Sequence, residues 1–184
     1  MKATGIVRRI DELGRVVIPK EIRRTLRIRE GDPLEIFVDR EGGVILKKYS
    51  PIGELGDFAK EYAESIHQAV GHIAVICDRD TVIAVSGAGK KELLERPVNE
   101  AVEELLSGRT RINASVSKGD AMVPVTTDDS GDKFTAELLI PIISAGDAIG
   151  AVILLSKEDG AEFSQTDVKV CETAAGFMGK QLES

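Results

Sequence analysis

Residues 13–24 read Leu13-Gly14-Arg15-Val16-Val17-Ile18-Pro19-Lys20-Glu21-Ile22-Arg23-Arg24, and this stretch decides the fold of the chain's beginning. Gly14 closes the turn Asp11-Glu12-Leu13-Gly14, because glycine adopts the positive φ angle that tight turns need. The β-branched run Val16-Val17-Ile18 favours a strand, and Pro19 suits the first position of a helix. The stretch therefore predicts a turn, a strand and a short helix over residues 19–26.

Further strands are predicted on both sides of this stretch. Residues 5–10 precede the turn and form a first hairpin with residues 15–18, while residues 34–38 and 44–49 flank the turn Arg40-Glu41-Gly42-Gly43 and form a second. About fifty residues arranged in this way bury too little apolar surface for a stable monomer and leave strand edges open. Pairing with a second copy of the chain would solve both problems.

Charge is distributed unevenly along the chain. The formal net charge is -7 over 184 residues, yet residues 1–50 carry 12 Lys and Arg against 8 Asp and Glu, a balance of +4. Residues 51–184 therefore carry -11. Such asymmetry indicates that one half of the chain meets a polyanion and the other does not.

Four arginines carry the sharpest functional signal. Arg8 and Arg15 lie on the two arms of the first predicted hairpin, and Arg23 and Arg24 follow on the helix. A guanidinium group stays charged and can donate two parallel hydrogen bonds to phosphate oxygens or to O6 and N7 of guanine. We therefore predict that these four residues contact double-stranded DNA.

A second domain is predicted after the polar segment Ser50-Pro51-Ile52-Gly53. We expect a DNA-binding domain over 1–50, a linker over 51–54 and a second domain over 55–184. Apolar spacing and turn residues in the second domain predict helices over 55–70, 97–106 and from Ser164 onward, strands over 72–77, 82–86, 134–143 and 148–156, and a mobile loop over 126–132. The predicted fold class is α+β.

The last predicted helix has an apolar stripe with heptad spacing, formed by Val168, Cys171, Ala175, Met178 and Leu182. Two interpretations stay open. The stripe packs inside its own domain, which two heptads usually indicate, or it associates with the same helix of another subunit.

Two other stretches suggest a phosphate-binding or a metal site, but each lacks residues that such a site needs. The loop Ser86-Gly87-Ala88-Gly89-Lys90-Lys91 lacks the first glycine and the final Ser or Thr of a phosphate-binding P-loop. His67 and His72 are separated by the helix-ending Gly71, which argues against a metal pair and against a catalytic base. We expect no enzyme activity and no metal site, buried reduced thiols at Cys77 and Cys171, and a cytoplasmic protein with no membrane span or signal peptide.

Two resemblances to known families cover most of the chain. The run from Thr4 to Arg23 resembles the AbrB family of bacterial transition-state regulators, and Leu13-Gly14-Arg15-Val16-Val17-Ile18-Pro19 is its most specific part. That resemblance implies an interleaved dimer of swapped hairpins, with Arg8, Arg15, Arg23 and Arg24 as DNA contacts. The remainder resembles a GAF domain, a small-molecule sensing module, on the stretches Leu139-Ile140-Pro141-Ile142, Gly146 to Leu154 and Phe163-Ser164-Gln165-Thr166-Asp167.

The combination of the two resembles sporulation regulators of endospore-forming bacteria. It implies a homotetramer, built as two DNA-binding dimers joined through the C-terminal domains, that activates some forespore genes and represses others on the nucleoid. No known cofactor is implied, although the GAF-like domain is expected to take an unidentified small molecule.

Two alternatives remain open. Antitoxins of toxin–antitoxin pairs share the fold of the first domain, but they normally carry a short, poorly structured tail instead of a further domain. The other alternative is a small-molecule signalling module or enzyme without a DNA target.

Overall fold

The computed structural model describes residues 5–54 and 56–183. The chain divides into a first unit that ends at Tyr49 and a second that begins at Ser50. Helices and antiparallel sheets occur together, which confirms the α+β class. Thr4, where the AbrB-like run begins, and Leu55, where the long helix and second domain were expected to begin, lie outside the described residues.

The first unit contains one helix and one hairpin. Helix α1 spans Lys20–Thr25, and strands β1 (Leu34–Val38) and β2 (Val44–Lys48) pair antiparallel. The hairpin turn is held by Asp39, whose Oδ1 accepts hydrogen bonds from the backbone N–H groups of Glu41 at 3.0 Å and Gly43 at 2.7 Å. The predicted helix and second hairpin are confirmed.

The first predicted hairpin is wrong for the single chain. Residues 5–10 and 15–18 have no strand conformation, and only the turn between them is present. A strand gains stability from a paired neighbour and from burying one face. Within this unit the arms gain neither, since the side chains of Val7, Ile10 and Val17 are 85%, 70% and 69% exposed.

The second unit is built on a five-stranded antiparallel sheet with the order β4-β3-β7-β6-β5. Its elements are, in chain order, α2 (Pro51–Glu54), α3 (Gly56–Val70), β3 (Ile73–Asp78), β4 (Val82–Ser86), α4 (Lys90–Leu93), α5 (Glu100–Ser107), β5 (Ile112–Ser115), a 3-10 turn (Val116–Lys118), β6 (Ala136–Ser144), β7 (Asp147–Ser156) and α6 (Gln165–Gln181). Across residues 5–54 and 56–183, no helix combines the length and apolar composition that a membrane crossing requires.

Both faces of this sheet are buried. Helices α3 and α6 cover one face, where Ile76 and Leu154 belong to the core. Helix α5 and the segment between β5 and β6 cover the other, where Val75 and Ile153 belong to the core. Since side chains alternate along a strand, the central strands are apolar at nearly every position.

The helical stripe packs inside its own domain. Val168, Cys171, Ala175 and Met178 all belong to the core between α6 and the sheet. The structure therefore confirms the interpretation that the heptad stripe packs within its own domain. The helix begins with the expected capping box between Ser164 and Asp167.

The expected linker over 51–54 is instead helix α2. Ile52 is fully buried, and a side chain at Gly150 would meet its Cδ1 atom at 2.6 Å. Ser50 donates a hydrogen bond from Oγ to Asp78 Oδ2 at 2.6 Å. The buried side chain of Ile52 and the hydrogen bond of Ser50 therefore attach residues 50–54 to the second unit.

Other local differences are small. The helix expected from residue 97 begins at Glu100, because the side chain of Asn99 caps it. Short elements α4 and β5 were not predicted. In the loop expected to be mobile, Thr126 and Asp129 are buried, and Thr126 bridges to Val98.

Two glycines of α6 form a matched pair for testing this packing. A methyl group at Gly179 would overlap the carbonyl oxygen of Ile143, whereas at exposed Gly176 it would meet no atom within 4 Å. We expect Gly179→Ala to destabilise the fold by about 1–3 kcal/mol through overpacking. Gly176→Ala is expected to stabilise it by about 0.5–1 kcal/mol through helix propensity. Thermal or urea unfolding followed by circular dichroism measures both, and equal effects would contradict the packing described.

Candidate functional site

Asp11 organises the turn that precedes Arg15. Its Oδ1 accepts hydrogen bonds from the backbone N–H groups of Leu13 at 3.0 Å and Arg15 at 2.8 Å, and its Oδ2 accepts one from Arg15 Nε at 3.0 Å. The pKa of Asp11 is lowered, chiefly by the hydrogen bond from the Arg15 backbone and also by its side chain. The ionised carboxylate therefore fixes both the turn and the guanidinium group.

The other three predicted arginines lie elsewhere on the first unit. Arg8 is exposed on the arm before the turn, and its Nη1 donates to the carbonyl oxygen of Val7 at 3.3 Å. Arg23 and Arg24 are consecutive residues in the last turn of α1. Arg24 is exposed and Arg23 is half-buried, with a buried Nε that has no hydrogen-bond partner among the described residues. The structure thus brings Arg23 and Arg24 together and places Arg8 and Arg15 on either side of the turn.

Exposed apolar side chains surround these arginines. Within residues 5–49, Pro19 is the single residue in the buried class. The large apolar side chains with exposed fractions of 37% to 85% include Ile6, Val7, Ile10, Leu13, Val16, Val17, Leu26, Ile36, Phe37, Val38, Val44, Ile45, Leu46 and Tyr49. An apolar surface this extensive is typical of an interface.

The second unit shows what its histidines and cysteines do. His67 Nδ1 and the carbonyl oxygen of His72 form a 2.6 Å hydrogen bond, and the His72 ring meets Phe163 edge-on. Among residues 5–54 and 56–183, no group of three or more His, Cys, Asp and Glu could hold a metal ion. Cys77 and Cys171 are buried as expected, and burial raises the pKa of each thiol to about 12.

A buried carboxylate in the second unit was missed from the sequence. Glu137 on β6 is 1% exposed, and its Oε2 accepts a hydrogen bond from the backbone N–H of Val123 at 2.9 Å. Burial raises its pKa to about 7, against the opposing effect of that hydrogen bond. The available signal was a single acidic residue inside the apolar run 134–143.

The glycine-containing loop over 86–91 follows strand β4. Gly87 and Gly89 have φ angles of 97° and 85°, and the helix that follows, α4, is only four residues long. The loop is therefore a turn between a strand and a short helix, in agreement with its departures from the P-loop pattern.

Comparison with known proteins assigns a class to each unit. Residues 54–183 match the family model described as "Stage V sporulation protein T C-terminal, transcription factor", and residues 7–54 match one described as "Antidote-toxin recognition MazE, bacterial antitoxin". The GAF domain of the Acinetobacter phosphoenolpyruvate-protein phosphotransferase shares the fold at a TM-score of 0.57 and 13% identity, over 70% of this chain and 81% of that one. The chain is a two-domain transcription factor with a GAF fold in its second unit.

Full-length similarity identifies the family. Stage V sporulation protein T of Bacillus subtilis (strain 168) is 55% identical over 183 residues, which cover 100% of this chain and 99% of that protein. The chain belongs to the stage V sporulation protein T family, which confirms the prediction of a sporulation transcription regulator. The transition state regulatory protein AbrB of the same organism is 71% identical over 51 residues, 28% of this chain and 52% of that protein. This match confirms the AbrB resemblance of the first unit, whereas the antitoxin model leaves the second unit unmatched.

The role of Asp11 can be tested by pH titration of the turn. The amide signals of Leu13 and Arg15 should titrate with a midpoint below the ordinary aspartate value of 3.8, since the carboxylate is held ionised. The stabilisation of the turn by Asp11 is therefore fully present above pH 3.8, the ordinary aspartate pKa. It is lost as the pH falls through the lowered pKa of Asp11 in the folded turn. Two-dimensional NMR measures the midpoint, with Asp11→Asn as the variant that keeps Oδ1 but abolishes the titration. A midpoint at or above 3.8 would contradict the assigned hydrogen bonds.

Proposed function

We propose that the protein binds specific sites on double-stranded DNA through a dimer of its first unit, using Arg8, Arg15, Arg23 and Arg24. The observation that carries this proposal is the uncovered apolar surface of the first unit, in which these arginines are embedded. The proposed DNA-binding domain comprises residues 1–50.

A second copy of the chain fits this surface better than any other occupant. The arms over 5–10 and 15–18 have strand-forming sequences, yet neither arm adopts a strand in the described part of the chain. An identical chain offers two further arms with the same pattern, so that each could complete the other's sheet. The paired unit would also bury the apolar side chains of both copies, which a single copy leaves in water.

Pairing also doubles the positive charge available for DNA. A dimer presents eight guanidinium groups from the four positions, and the balance of +4 per first unit becomes +8. Each phosphate that is neutralised adds about 0.9 to the slope of log affinity against log salt. The charge of -11 on residues 51–184 repels phosphate, so the proposed DNA contacts are confined to the first unit.

Substitution of Arg15 tests the proposed contact. We expect Arg15→Ala to weaken binding to a specific operator by about 1–3 kcal/mol, because a bidentate base contact is lost. Arg40→Ala is the matched control, since Arg40 is exposed in the turn between β1 and β2 and removes the same charge. Fluorescence anisotropy titrations at several salt concentrations measure both variants. An equal loss in the two would show a general charge effect and would overturn the assigned role of Arg15.

For the second unit we propose a sensory and oligomerisation role over residues 55–184. The GAF fold supports regulation by a small molecule, whose identity is not assigned by any residue set. Family membership supports a non-catalytic regulator that acts on the nucleoid of the forespore, where it activates some genes and represses others. Tetramer formation through the C-terminal helices is part of the same proposal.

The outer face of α3 and α6 supports tetramer formation. The rings of Phe58 and Tyr62 lie 4.8 Å apart, and Phe177 stacks on Tyr62 at 5.6 Å between ring centroids. Phe177 is 43% exposed, and the groove beside it has a volume of about 440 Å³. The heptad stripe is occupied by the domain core, so the proposed contact between subunits uses this aromatic face instead.

A charge on the aromatic face should divide the tetramer. We expect Phe177→Asp to convert a tetramer into a dimer joined through the first units, because desolvating a carboxylate in an apolar interface is costly. Val116→Asp is the matched control, since Val116 is 54% exposed and belongs to the 3-10 turn, not to α3 or α6. Sedimentation velocity on the full chain gives the result. A Phe177→Asp variant that remains tetrameric would contradict the proposed interface.

A further inference from the structure

The carboxyl group of Glu137 has an unusual position in the second unit. It is carried by the second residue of β6, and the residues paired with Glu137 on the neighbouring strands β5 and β7 are the apolar Ala114 and Leu155. Oε2 accepts one hydrogen bond from Val123, and Oε1 is buried with no hydrogen-bond partner among the described residues. An ionised carboxylate in this environment lacks both a cation and a full set of donors, so its charge is costly to hold there.

The segment over 123–131 covers this carboxyl group and carries a second buried acid. Asp129 is 7% exposed, and its oxygens accept backbone hydrogen bonds from Val125 at 3.3 Å and Gly131 at 3.1 Å. Its negative charge acts on Glu137 and disfavours ionisation there. The hydrogen bond from Val123 to Glu137 therefore holds the segment on the sheet, whereas the charge of Asp129 on the same segment repels an ionised Glu137.

Charged groups on the surrounding elements do not neutralise this pair. Helix α5 contributes only acids, namely Glu100, Glu103 and Glu104. Lys157, beyond the end of β7, lies over the Phe134 ring and pairs with Glu92 Oε2 at 3.7 Å. The other charged groups of the segment between β5 and β6 have partners of their own or are exposed. Lys118 pairs with Glu162, and Asp128 pairs with Arg96. Asp120 accepts a hydrogen bond from the Ser115 N–H, Asp132 accepts one from Ser130, and Lys133 is exposed.

We propose that Glu137 is a proton-operated latch for the segment over 123–131. The neutral acid keeps Oε2 as the acceptor for Val123 without a buried charge, so the segment stays closed on the sheet. Loss of the proton leaves two buried carboxylates of like charge, and the segment opens to let water reach them. The latch belongs to the second unit and does not depend on the proposed DNA contacts.

Proton linkage fixes the direction and range of the response. Burial raises the pKa of Glu137 in the closed form to about 7, whereas an open segment returns it toward the ordinary value of 4.5. Between these values the closed form binds a proton that the open form lacks, so raising the pH favours opening. Each pH unit in this interval increases the opening equilibrium constant about tenfold, and the constant levels off above the higher pKa.

Hydrogen exchange with mass spectrometry on the full chain tests the latch. Peptides within residues 119–133 are followed from pH 5 to pH 8.5, with rates corrected for the intrinsic pH dependence of exchange, and peptides from α6 serve as the internal reference. We expect protection in the segment to fall about tenfold per pH unit up to about pH 7 and then to stay constant. Protection in α6 should not follow this profile.

Three variants separate the latch from a general effect of pH. Glu137→Gln, which cannot ionise, should remove the pH dependence and keep the segment protected throughout. Asp129→Asn should shift the levelling-off to lower pH, because the repelling charge is gone, and it tests the latch even if Glu137→Gln fails to fold. The exposed control Glu158→Gln should behave as the unaltered chain. A flat profile in the unaltered chain, or the same slope in Glu137→Gln, would overturn the proposal.

Discussion

The first unit exposes most of its large apolar side chains to solvent. The proposed pairing of two chains and the proposed DNA contacts both depend on this constraint. A chain that buries only Pro19 among residues 5–49 has no core of its own in this unit. Its stability has to come from another surface, and the strand-forming arms favour an identical one. The DNA contacts proposed for the four arginines would consequently be a property of two chains.

The second unit, in contrast, has a buried core of its own. Its sheet is covered on both faces, and the apolar stripe of α6 is used up within the domain. The outer face of α3 and α6 still carries the small aromatic group of Phe58, Tyr62 and Phe177. The self-association proposed above would therefore have a different physical basis in the two units: completion of a fold in the first, and contact between two complete folds in the second.

Sequence patterns predicted those elements whose causes are local or lie within one domain. The hairpin of β1 and β2, the capping box of α6 and the buried central strands all follow from turn residues and apolar periodicity. The first hairpin was predicted from the same kind of pattern but is absent from the single chain, because the pattern shows strand-forming residues and not whether a pairing partner is present. Asp11 was assigned only to a turn, and Glu137 was hidden in an apolar run, since partners brought together by folding leave little trace in spacing. The four arginines were singled out because their residue type is itself the signal, and their contact with DNA stays a prediction.

The ion pair between Asp11 and Arg15 has a consequence for how a contact is made. It engages Nε, one of the five N–H donors of the guanidinium group, and leaves the planar end of the fork for a phosphate or a base. A long side chain that is already restricted in the unbound protein loses less conformational entropy when it binds. If Arg15 contacts DNA as proposed, the turn restricts its side chain before binding, so that selectivity would arise from rigidity as well as from charge.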